Sequence, residues 1–394
     1  MNLSDLPRDV VAAVRSVVGD TSEFVLLHGP YLPPNAWVYT KDCLDTGWVS
    51  SAGKYVSRFE EELARFVGIE RAVAVVNGTA ALEMCFRLVG TTTNDEIICP
   101  SLTFVATANA ITHCGGVPHF VDIESGSLGL CPQALAQRLK DVADRRPNGT
   151  FNRETGRRIG AVCVMHCFGH PAQMDELVEV CQQYDLPLVE DAAESLGSYY
   201  RDEHTGRRGT IAAVSFNGNK ILTTGGGGAI LTDDETLADK AKHLTTTAKV
   251  PHAWEFHHDA VGWNYRMPNL NAAIGCAQLE VLPRLLDAKR TLYQSYLDAF
   301  APLDGVGVLQ EPEYGQSNHW LNCIVLDPLQ AADRDAVLAA LNADQLQSRP
   351  LWQPMHHLPM YCDVPRGPLA NTDDLYRRCV NIPSSASLVS GWES

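Results

Sequence analysis

The feature that most constrains the fold of this 394-residue chain is an alternation of short apolar runs with helix-like runs that begins near residue 70. Runs typical of buried strands are AVAVV (72–76), EIIC (96–99), VPHFVDI (117–123), AVCVMHC (161–167), LPLVEDA (186–192) and AAVSFN (212–217). Runs at helical spacing are AALEMCFRLVG (80–90), TANAITHCG (107–115) and MDELVEVCQQYD (174–185). Because strands alternate with helices, the sequence predicts a mainly parallel sheet with helices on both faces.

Past Pro283 the pattern changes to a long helix-like run, a strand and a second helix: RLLDAKRTLYQSYLDAF (284–300), WLNCIVL (320–326) and DRDAVLAALNAD (333–344). This change predicts a smaller α+β domain that ends the chain. We divide the chain into an N-terminal segment (1–45), a large domain (46–283) and a small C-terminal domain (284–394). The polar stretch 144–158 predicts a solvent-exposed loop, and the residues from 384 onward predict a loosely held tail.

The charge balance excludes some classes of partner. A formal net charge of −16 disfavours a general nucleic-acid binder or a protein that binds anionic membranes. No apolar run reaches transmembrane length, and the first twenty residues make a poor signal peptide. We therefore expect a cytoplasmic protein.

A cluster of cysteines and histidines, CVMHCFGH (163–170), has the residue types of a metal site. Because the stretch from 161 to 167 reads as a strand, Cys163 and Cys167 would share one face while His166 takes the other. We therefore predict no metal. The other cysteines lie mostly in apolar runs and predict small buried side chains.

Lys220 lies between a strand-like run and four glycines in SFNGNKILTTGGGGAILTDD (215–234). The stretch is not a P-loop, because Ile221 follows the lysine and no glycine stands at the required distance before it. It is not a dinucleotide fingerprint either, because the glycines lead into a strand-like run instead of a helix. A flexible loop tip and a chemically reactive lysine remain.

Ligands of parallel sheets bind beyond the carboxyl ends of the strands. The stretch NGTAA (77–81) follows the first strand and opens a helix, so it suits either a phosphate or a simple N-cap by Thr79. Phe104 follows the second strand and suits either a stacked flat ring or a core position. Asp191 ends a later strand and suits either a pairing with a buried cation or a helix N-cap, and Glu194 comes three residues after it.

These features together fit one ligand. Pyridoxal phosphate has all of the matching parts: a phosphate, a flat ring, a basic ring nitrogen and an electrophilic carbon that an amine can attack. Its ring works as an electron sink when the ring nitrogen is protonated, and a carboxylate such as Asp191 favours that form. Lys220 would then be the amine that bonds the cofactor and moves protons during the reaction.

The order of six motifs resembles the nucleotide-sugar aminotransferases of the DegT/DnrJ/EryC1/StrS family: N-G-T-A, P-S-x-T-F-x-A-T-x-N-A, E-D-A-A-E, S-F-x-x-x-K, G-G-G-G-A and N-Y-R-M. The resemblance runs from about residue 46 to 361. The stretches SFNGNKILTTGGGGAI, HLTTTAKVPH and RPLWQPMHHLP are similar to the LegC-like branch. The resemblance implies a fold-type-I α/β enzyme whose large domain holds a mainly parallel seven-stranded sheet.

The resemblance also implies residue roles. Lys220 would be the Schiff-base lysine, Asp191 the partner of the pyridine nitrogen, and Phe104 the residue stacked on the ring. Glu194 would lie by the ring hydroxyl, and Asn264 would reach the phosphate from the partner subunit of a homodimer. Further phosphate contacts would come from Thr79, Ala80 and Ser215, and substrate contacts from Lys249, His319, Trp352 and His356.

The function implied is transfer of an amino group from L-glutamate to C4 of a UDP-4-keto-6-deoxy-N-acetyl-hexosamine, for an amino-dideoxy sugar of surface glycans. Transfer to C3 or to a GDP-sugar, within the same family, stays open. So does a non-catalytic relative that binds the cofactor or the sugar nucleotide for regulation.

Overall fold

The computed structural model describes residues 6–392, and it shows an α/β fold. Its helices are α1 (Leu6–Val18), α2 (Pro34–Thr46), α3 (Lys54–Val67), α4 (Gly78–Leu88), α5 (Val105–His113), α6 (Pro132–Val142), α7 (Met174–Gln183), α8 (Glu235–Thr245), α9 (Asn269–Phe300), α10 (Arg334–Ala343) and α11 (Ala370–Tyr376). Its strands are β1 (Arg71–Val75), β2 (Glu96–Pro100), β3 (Val117–Val121), β4 (Ala143–Arg146), β5 (Gly149–Asn152), β6 (Ile159–Met165), β7 (Leu188–Asp191), β8 (Tyr199–Tyr200), β9 (Glu203–His204), β10 (Ile211–Ser215), β11 (Gly228–Thr232), β12 (Lys249–Val250), β13 (His257–His258), β14 (Val306–Val308), β15 (Gly315–Gln316), β16 (Asn322–Leu326), β17 (Arg349–Pro350) and β18 (Cys379–Ile382).

The main sheet has seven strands in the order β1-β11-β10-β7-β6-β2-β3, which confirms the sheet predicted from the sequence. The strands from β10 to β3 pair in parallel, whereas β11 is antiparallel to both of its neighbours. Because neighbouring parallel strands end at the same edge, the residues after β7 and β10 emerge side by side.

Alternate residues of the strands feed apolar layers on opposite faces of the sheet. In β1, Val73 and Val75 join the cluster that holds the buried side of α4 and α5. Ala72 and Ala74 join the cluster that holds α3 and the first half of α9. This period of two is the pattern expected of a strand buried on both faces.

A second, antiparallel sheet with the order β14-β16-β18-β17 lies in the C-terminal part of the chain. Its apolar face packs with α10 and the second half of α9. The N-terminal helix α1 joins the same cluster through Val10 and Val14, so the first residues described belong to this layer.

The predicted boundary between 283 and 284 falls inside a continuous helix, because α9 runs through Pro283. A proline removes one helical hydrogen bond, but the neighbouring Leu282 and Leu285 are buried and hold the helix on both sides. The division of the chain into 1–45, 46–283 and 284–394 stays a prediction.

Two local predictions were wrong. The stretch 144–158 holds the hairpin β4–β5, not an irregular loop, and α6 was missed. Residues 384–392 are held rather than loose: Ala386 is buried, and the Trp392 ring meets Tyr31 edge-on with 4.6 Å between centroids. Residues 393–394 of the predicted tail lie outside the described residues. No helix among residues 6–392 is long and apolar enough to cross a bilayer.

Candidate active site

The edge of the sheet where β7 and β10 end opens into a cavity of about 280 Å³. Of the residues predicted from the sequence, those in its wall are Thr79, Phe104, Asp191, Glu194, Ser215, Lys220 and Trp352. These residues come from seven places between positions 79 and 352, and the parallel register of the sheet brings most of them together.

Lys220 is held by a carboxylate and an indole ring. Its Nζ donates a hydrogen bond to Glu194 Oε1 at 3.1 Å and lies 3.8 Å from the centroid of the Trp320 ring. The Trp320 indole in turn donates to the backbone carbonyl of Asn219 at 2.7 Å, beside the lysine. The amine is therefore fixed in the cavity at a short turn after β10, which favours a reactive lysine over a flexible tip.

Burial raises the pKa of Glu194 to about 7, although the nearby Lys220 ammonium works in the opposite direction. Its second oxygen accepts the backbone N–H of Phe168 at 3.0 Å. A carboxyl group with a pKa near neutrality can exchange a proton with its partner amine under ordinary conditions.

Asp191 ends β7 and is also buried. Its carboxylate accepts hydrogen bonds from Thr107 Oγ1 at 2.7 Å and from the backbone N–H of Ala193 at 3.2 Å. Burial raises its pKa against these hydrogen bonds and the more distant charge of Lys220. The alternative reading as a helix N-cap is wrong, because turns follow Asp191 and no helix begins there.

The N-terminus of α4 forms another wall. The residue that caps it is Asn77, whose side-chain oxygen accepts the N–H of Ala80 at 2.8 Å, so the alternative cap by Thr79 is wrong. This hydrogen bond occupies the N–H that we predicted for phosphate at Ala80. Thr79 itself lines the cavity together with Ser215.

The glycine run after Lys220 serves a close approach within the same chain. A Cβ at Gly228 would lie 2.6 Å from the backbone of Asn77, and one at Gly78 would lie 2.8 Å from the Ser215 side chain. Either contact is too short for a side chain, so glycines allow β11 and the first turn of α4 to meet. Gly226 has open space around its Cα and keeps the loop-tip interpretation.

Aromatic side chains border the open side of the cavity. Phe104 precedes α5 and remains 47% exposed, so the alternative of an ordinary core position is wrong. Its ring lies 6.2 Å from Trp352, which packs on Phe168 with 4.9 Å between centroids. An exposed ring at a cavity mouth is available to stack on a flat ligand.

Two predicted residues lie outside this cavity on exposed segments. Asn264 is exposed, and its side-chain oxygen accepts hydrogen bonds from the Arg266 guanidinium at 3.0 and 3.2 Å. Lys249 begins the exposed hairpin β12–β13, with its Nζ 4.5 Å from the centroid of the Phe256 ring. The chain alone does not bring either residue to Lys220.

The two predicted histidines also lie outside the cavity. His319 is buried and stacks on Tyr293 with 3.9 Å between centroids. His356 contacts the Ser101 hydroxyl through Nδ1 at 2.7 Å and faces Asp373 through Nε2 at 3.3 Å. Their substrate-binding roles stay predictions.

The sequence did not reveal the residues that hold the predicted site residues in position. Thr107 orients Asp191, Trp320 lies beside the Lys220 amine, and Asn77 caps α4. Thr107 and Asn77 belong to quoted motifs and could have been found from their positions after strands. Trp320 comes a hundred residues after Lys220, and no local pattern marks it.

Within the cysteine and histidine cluster, His166 is tied to the protein itself through both of its ring nitrogens. His166 Nε2 lies 2.8 Å from Glu190 Oε2, and its Nδ1 accepts the N–H of Ala172 at 3.1 Å. Both ring nitrogens are therefore engaged. Of the twelve cysteines, ten are buried, Cys131 is partly buried and Cys362 is exposed.

The donor set of the cavity fits pyridoxal phosphate. Both hydrogen-bond donors of the Asp191 carboxylate are neutral, so this buried acid lacks the contact with a cation that a protonated ring nitrogen would provide. The first turn of α4 and the Ser215 hydroxyl offer polar groups suited to a phosphate, and Lys220 offers an amine.

Comparisons with known proteins agree with this chemistry. The model of the DegT/DnrJ/EryC1/StrS aminotransferase family matches residues 35–391. EpsN of Bacillus subtilis, named provisionally as a pyridoxal phosphate-dependent aminotransferase, is 36% identical over 371 residues, with 92% of each chain covered. GDP-perosamine synthase of Vibrio cholerae is 35% identical, with 91% of this chain and 93% of that protein covered. The structure of DesI, determined in the presence of its TDP-sugar product, superposes with a TM-score of 0.81 at 28% identity, covering 95% of this chain and 91% of that one.

Proposed function

The chain belongs to the DegT/DnrJ/EryC1/StrS aminotransferase family and is a pyridoxal phosphate-dependent sugar aminotransferase, and on that premise we propose that it moves an amino group from L-glutamate to C4 of a UDP-4-keto-6-deoxy-N-acetyl-hexosamine. The observation that carries an amine-transfer reaction is the meeting of the Lys220 amine with the buried carboxyl groups of Asp191 and Glu194 in one cavity.

Each of these side chains has a distinct part in the proposal. When bound, pyridoxal phosphate supplies a carbonyl carbon that bonds amines and a ring that withdraws electrons from the carbon next to the bonded nitrogen. Asp191 would hold the proton on the ring nitrogen, because an ionised carboxylate stabilises a nearby cation. Lys220 Nζ would bond the cofactor and, as a free amine, would take up and release protons in the cavity.

Glu194 is placed to assist that lysine. Its Oε1 accepts a hydrogen bond from Lys220 Nζ, and its pKa near 7 lets it hold or release a proton at neutral pH. The carboxyl group thereby keeps the amine oriented into the cavity. Phe104 and Trp352 border the mouth with apolar surface, where the exposed Phe104 ring is available to stack on a flat ligand.

A GDP-linked keto-sugar is the second candidate substrate. It is favoured by the 35% identity to a GDP-perosamine synthase over nearly the whole of both chains. The likeness to DesI, crystallised with a TDP-sugar product, supports nucleotide sugars as the substrate class while leaving the nucleotide open.

We also propose that the active enzyme is a homodimer in which Asn264 completes the phosphate site of its partner. Support comes from the position of Asn264, exposed and outside its own cavity, next to the exposed hairpin that carries Lys249. Large exposed rings at Trp254 and Phe256 extend the same surface. A cytoplasmic location stays a prediction.

The proposal is tested with a panel of UDP-, GDP- and dTDP-linked 4-keto-6-deoxy sugars, each incubated with L-glutamate and the purified enzyme. We expect the UDP-linked N-acetyl sugar to react fastest, with NMR of the product showing nitrogen on C4. Nitrogen on C3, or faster reaction of a GDP-sugar, would replace our first substrate with one of its rivals. Failure of L-glutamate alone to change the cofactor's absorbance would contradict the choice of donor.

A further inference from the structure

Beyond the cavity, two neighbouring histidines and an aspartate point their ligand atoms at one another. His356 and His357 lie in a short 3-10 turn (Met355–His357), and Asp373 lies in the first turn of α11. Each histidine has its Nε2 atom 3.3 Å from Asp373 Oδ1. The three ligand atoms all lie within 4.8 Å of one another.

The aspartate oxygen at the centre of this group is unusual. Asp373 Oδ1 is buried but accepts no hydrogen bond from the residues that the structure describes. A buried acceptor without a partner costs free energy, so such an atom in a folded protein calls for an explanation. The two imidazole Nε2 atoms beside it lie within hydrogen-bonding distance, at 3.3 Å, but are not aligned as hydrogen-bond donors to it.

Two of the three separations match those of ligands around a shared ion. Zinc binds imidazole nitrogen and carboxylate oxygen at about 2.0–2.2 Å in a tetrahedron, which places neighbouring ligand atoms roughly 3.3–3.5 Å apart. The two nitrogen-to-oxygen distances of 3.3 Å fall in that range. From this geometry we propose that His356, His357 and Asp373 bind a divalent transition-metal cation of the zinc class, with water completing the coordination.

Both segments that carry the ligands are anchored independently of the ion. The turn is fixed by Ser101, whose backbone carbonyl accepts the Met355 N–H at 2.8 Å and whose hydroxyl meets His356 Nδ1 at 2.7 Å. A polar partner at one ring nitrogen orients the other toward a metal. Helix α11 is fixed by Asp122, which accepts the N–H of Thr372 at 2.8 Å.

The charges around the group both favour and oppose a cation. Burial and the neighbouring His357 lower the pKa of His356, and the Asp373 carboxylate works against that shift. A neutral imidazole is the form that binds metals. The Arg366 guanidinium also lowers this pKa, and its positive charge weakens metal affinity.

The test is a titration of the tag-free, metal-stripped full chain with ZnCl₂ in a non-chelating buffer, followed by calorimetry. We expect one equivalent to bind, and His357→Ala and Asp373→Asn each to weaken that binding at least about tenfold, since each removes a direct ligand. Neither variant touches the cavity that holds Lys220. Circular dichroism of both variants checks that they remain folded, and the conservative His357→Gln replaces the alanine variant if it does not.

The control is His257→Ala, which alters a different pair of adjacent histidines, both exposed, in β13. Because neighbouring residues of a strand face opposite ways, that pair does not converge, and we expect zinc binding to be unchanged. Absence of zinc binding by the parent chain would overturn the proposal, and so would equal binding by all variants. Tetrahedral Co²⁺ absorption that disappears in Asp373→Asn would support the same three ligands by an independent signal.

Discussion

The floor of the cavity, formed by Asp191, Glu194 and Lys220, and the exposed surface that carries Asn264 differ in how completely a single chain forms them. On the floor, the Glu194 carboxyl group and the Asp191 carboxylate are buried, the Lys220 side chain is 11% exposed, and all three are already hydrogen-bonded to their own chain. On the exposed surface, the Asn264 side chain pairs with Arg266 and the Lys249 ammonium lies beside the Phe256 ring, and neither residue lines the cavity. The reactive groups are thus preorganised within one chain, whereas one chain alone does not bring the predicted outer contacts, Asn264 and Lys249, to the cavity.

The largest effect should come from the floor itself. We expect Lys220→Ala to lower the rate of amine transfer by roughly 10⁴-fold or more, because it removes both the bonding amine and the proton carrier. The variant should still bind pyridoxal phosphate, since the Asp191 carboxylate and the first turn of α4 remain. Steady-state kinetics and cofactor absorbance measure the two properties, and normal turnover would remove Lys220 from its proposed role.

The next effect, at Asp191 in the same floor, compares the loss of reaction rate with the loss of folding stability. Asp191→Ala should lower the rate by about 10²- to 10³-fold, as expected when one fixed electrostatic contact is lost. Stability of the cofactor-free protein should change by only about 1 kcal/mol, because the substitution removes the two hydrogen bonds from Thr107 and Ala193 but also a buried acid whose raised pKa reflects the cost of its charge. Urea unfolding checks this, and a stability loss as severe as the loss of rate would make Asp191 a structural residue.

The difference between floor and surface also explains what the sequence could predict. Asp191, Ser215 and Lys220 were found because residues after parallel strands meet at one edge, and the resemblance to a family supplied their roles. His319 was placed near substrate from its motif, yet it stacks on Tyr293 inside the protein. Whether a motif residue faces a cavity or the core depends on packing between distant segments, which local spacing does not encode.

The fold shows the same limit. The mainly parallel sheet followed from the alternation of runs, because apolar period and length are local properties, whereas its count of seven strands followed from the resemblance to a family. The continuity of α9 through Pro283 did not follow, since the packing of Leu282 and Leu285 outweighs the one lost hydrogen bond. Trp320 was missed for a similar reason, as its contact with Lys220 spans a hundred residues of sequence.

A subunit-mixing experiment tests the exposed surface. If Asn264 acts in its partner's site, Lys220→Ala chains mixed equally with Asn264→Ala chains form dimers with one intact site. We then expect about a quarter of wild-type activity after random exchange, because half of the dimers are mixed and each carries one working site of two. Both parent variants should be well below that level.

The matched control mixes Lys220→Ala with Asp191→Ala, two lesions of the floor. Each site of that mixed dimer carries one lesion, so activity should not return even though subunits exchange. Restoration in this control would show that floor residues also cross between chains and would end the contrast between the two regions. No restoration with Asn264→Ala, when exchange is verified, would place Asn264 outside the partner's site.

The smallest effect concerns the proton of Glu194 in the cofactor-free protein. Because burial raises its pKa to about 7 from an ordinary value of 4.5, the folded state keeps a proton that the unfolded state loses between these pH values. The stabilising effect of that proton is complete below pH 4.5 and is lost as pH rises through 7, with a total of about 3 kcal/mol at most. In Glu194→Gln this dependence is absent, so the variant should gain stability relative to the parent across that window.

Urea unfolding of both proteins at several pH values between 4 and 8 measures this difference directly. Glu61→Gln, on the exposed side of α3, controls for replacing a carboxyl group with an amide at a solvated position. Parallel stability curves for Glu194→Gln and its parent would mean that the Glu194 carboxyl group titrates alike in the folded and unfolded states. The floor of the cavity would then hold an ordinary ion pair with Lys220, and its contrast with the solvated outer surface would rest on burial alone, without a shifted proton.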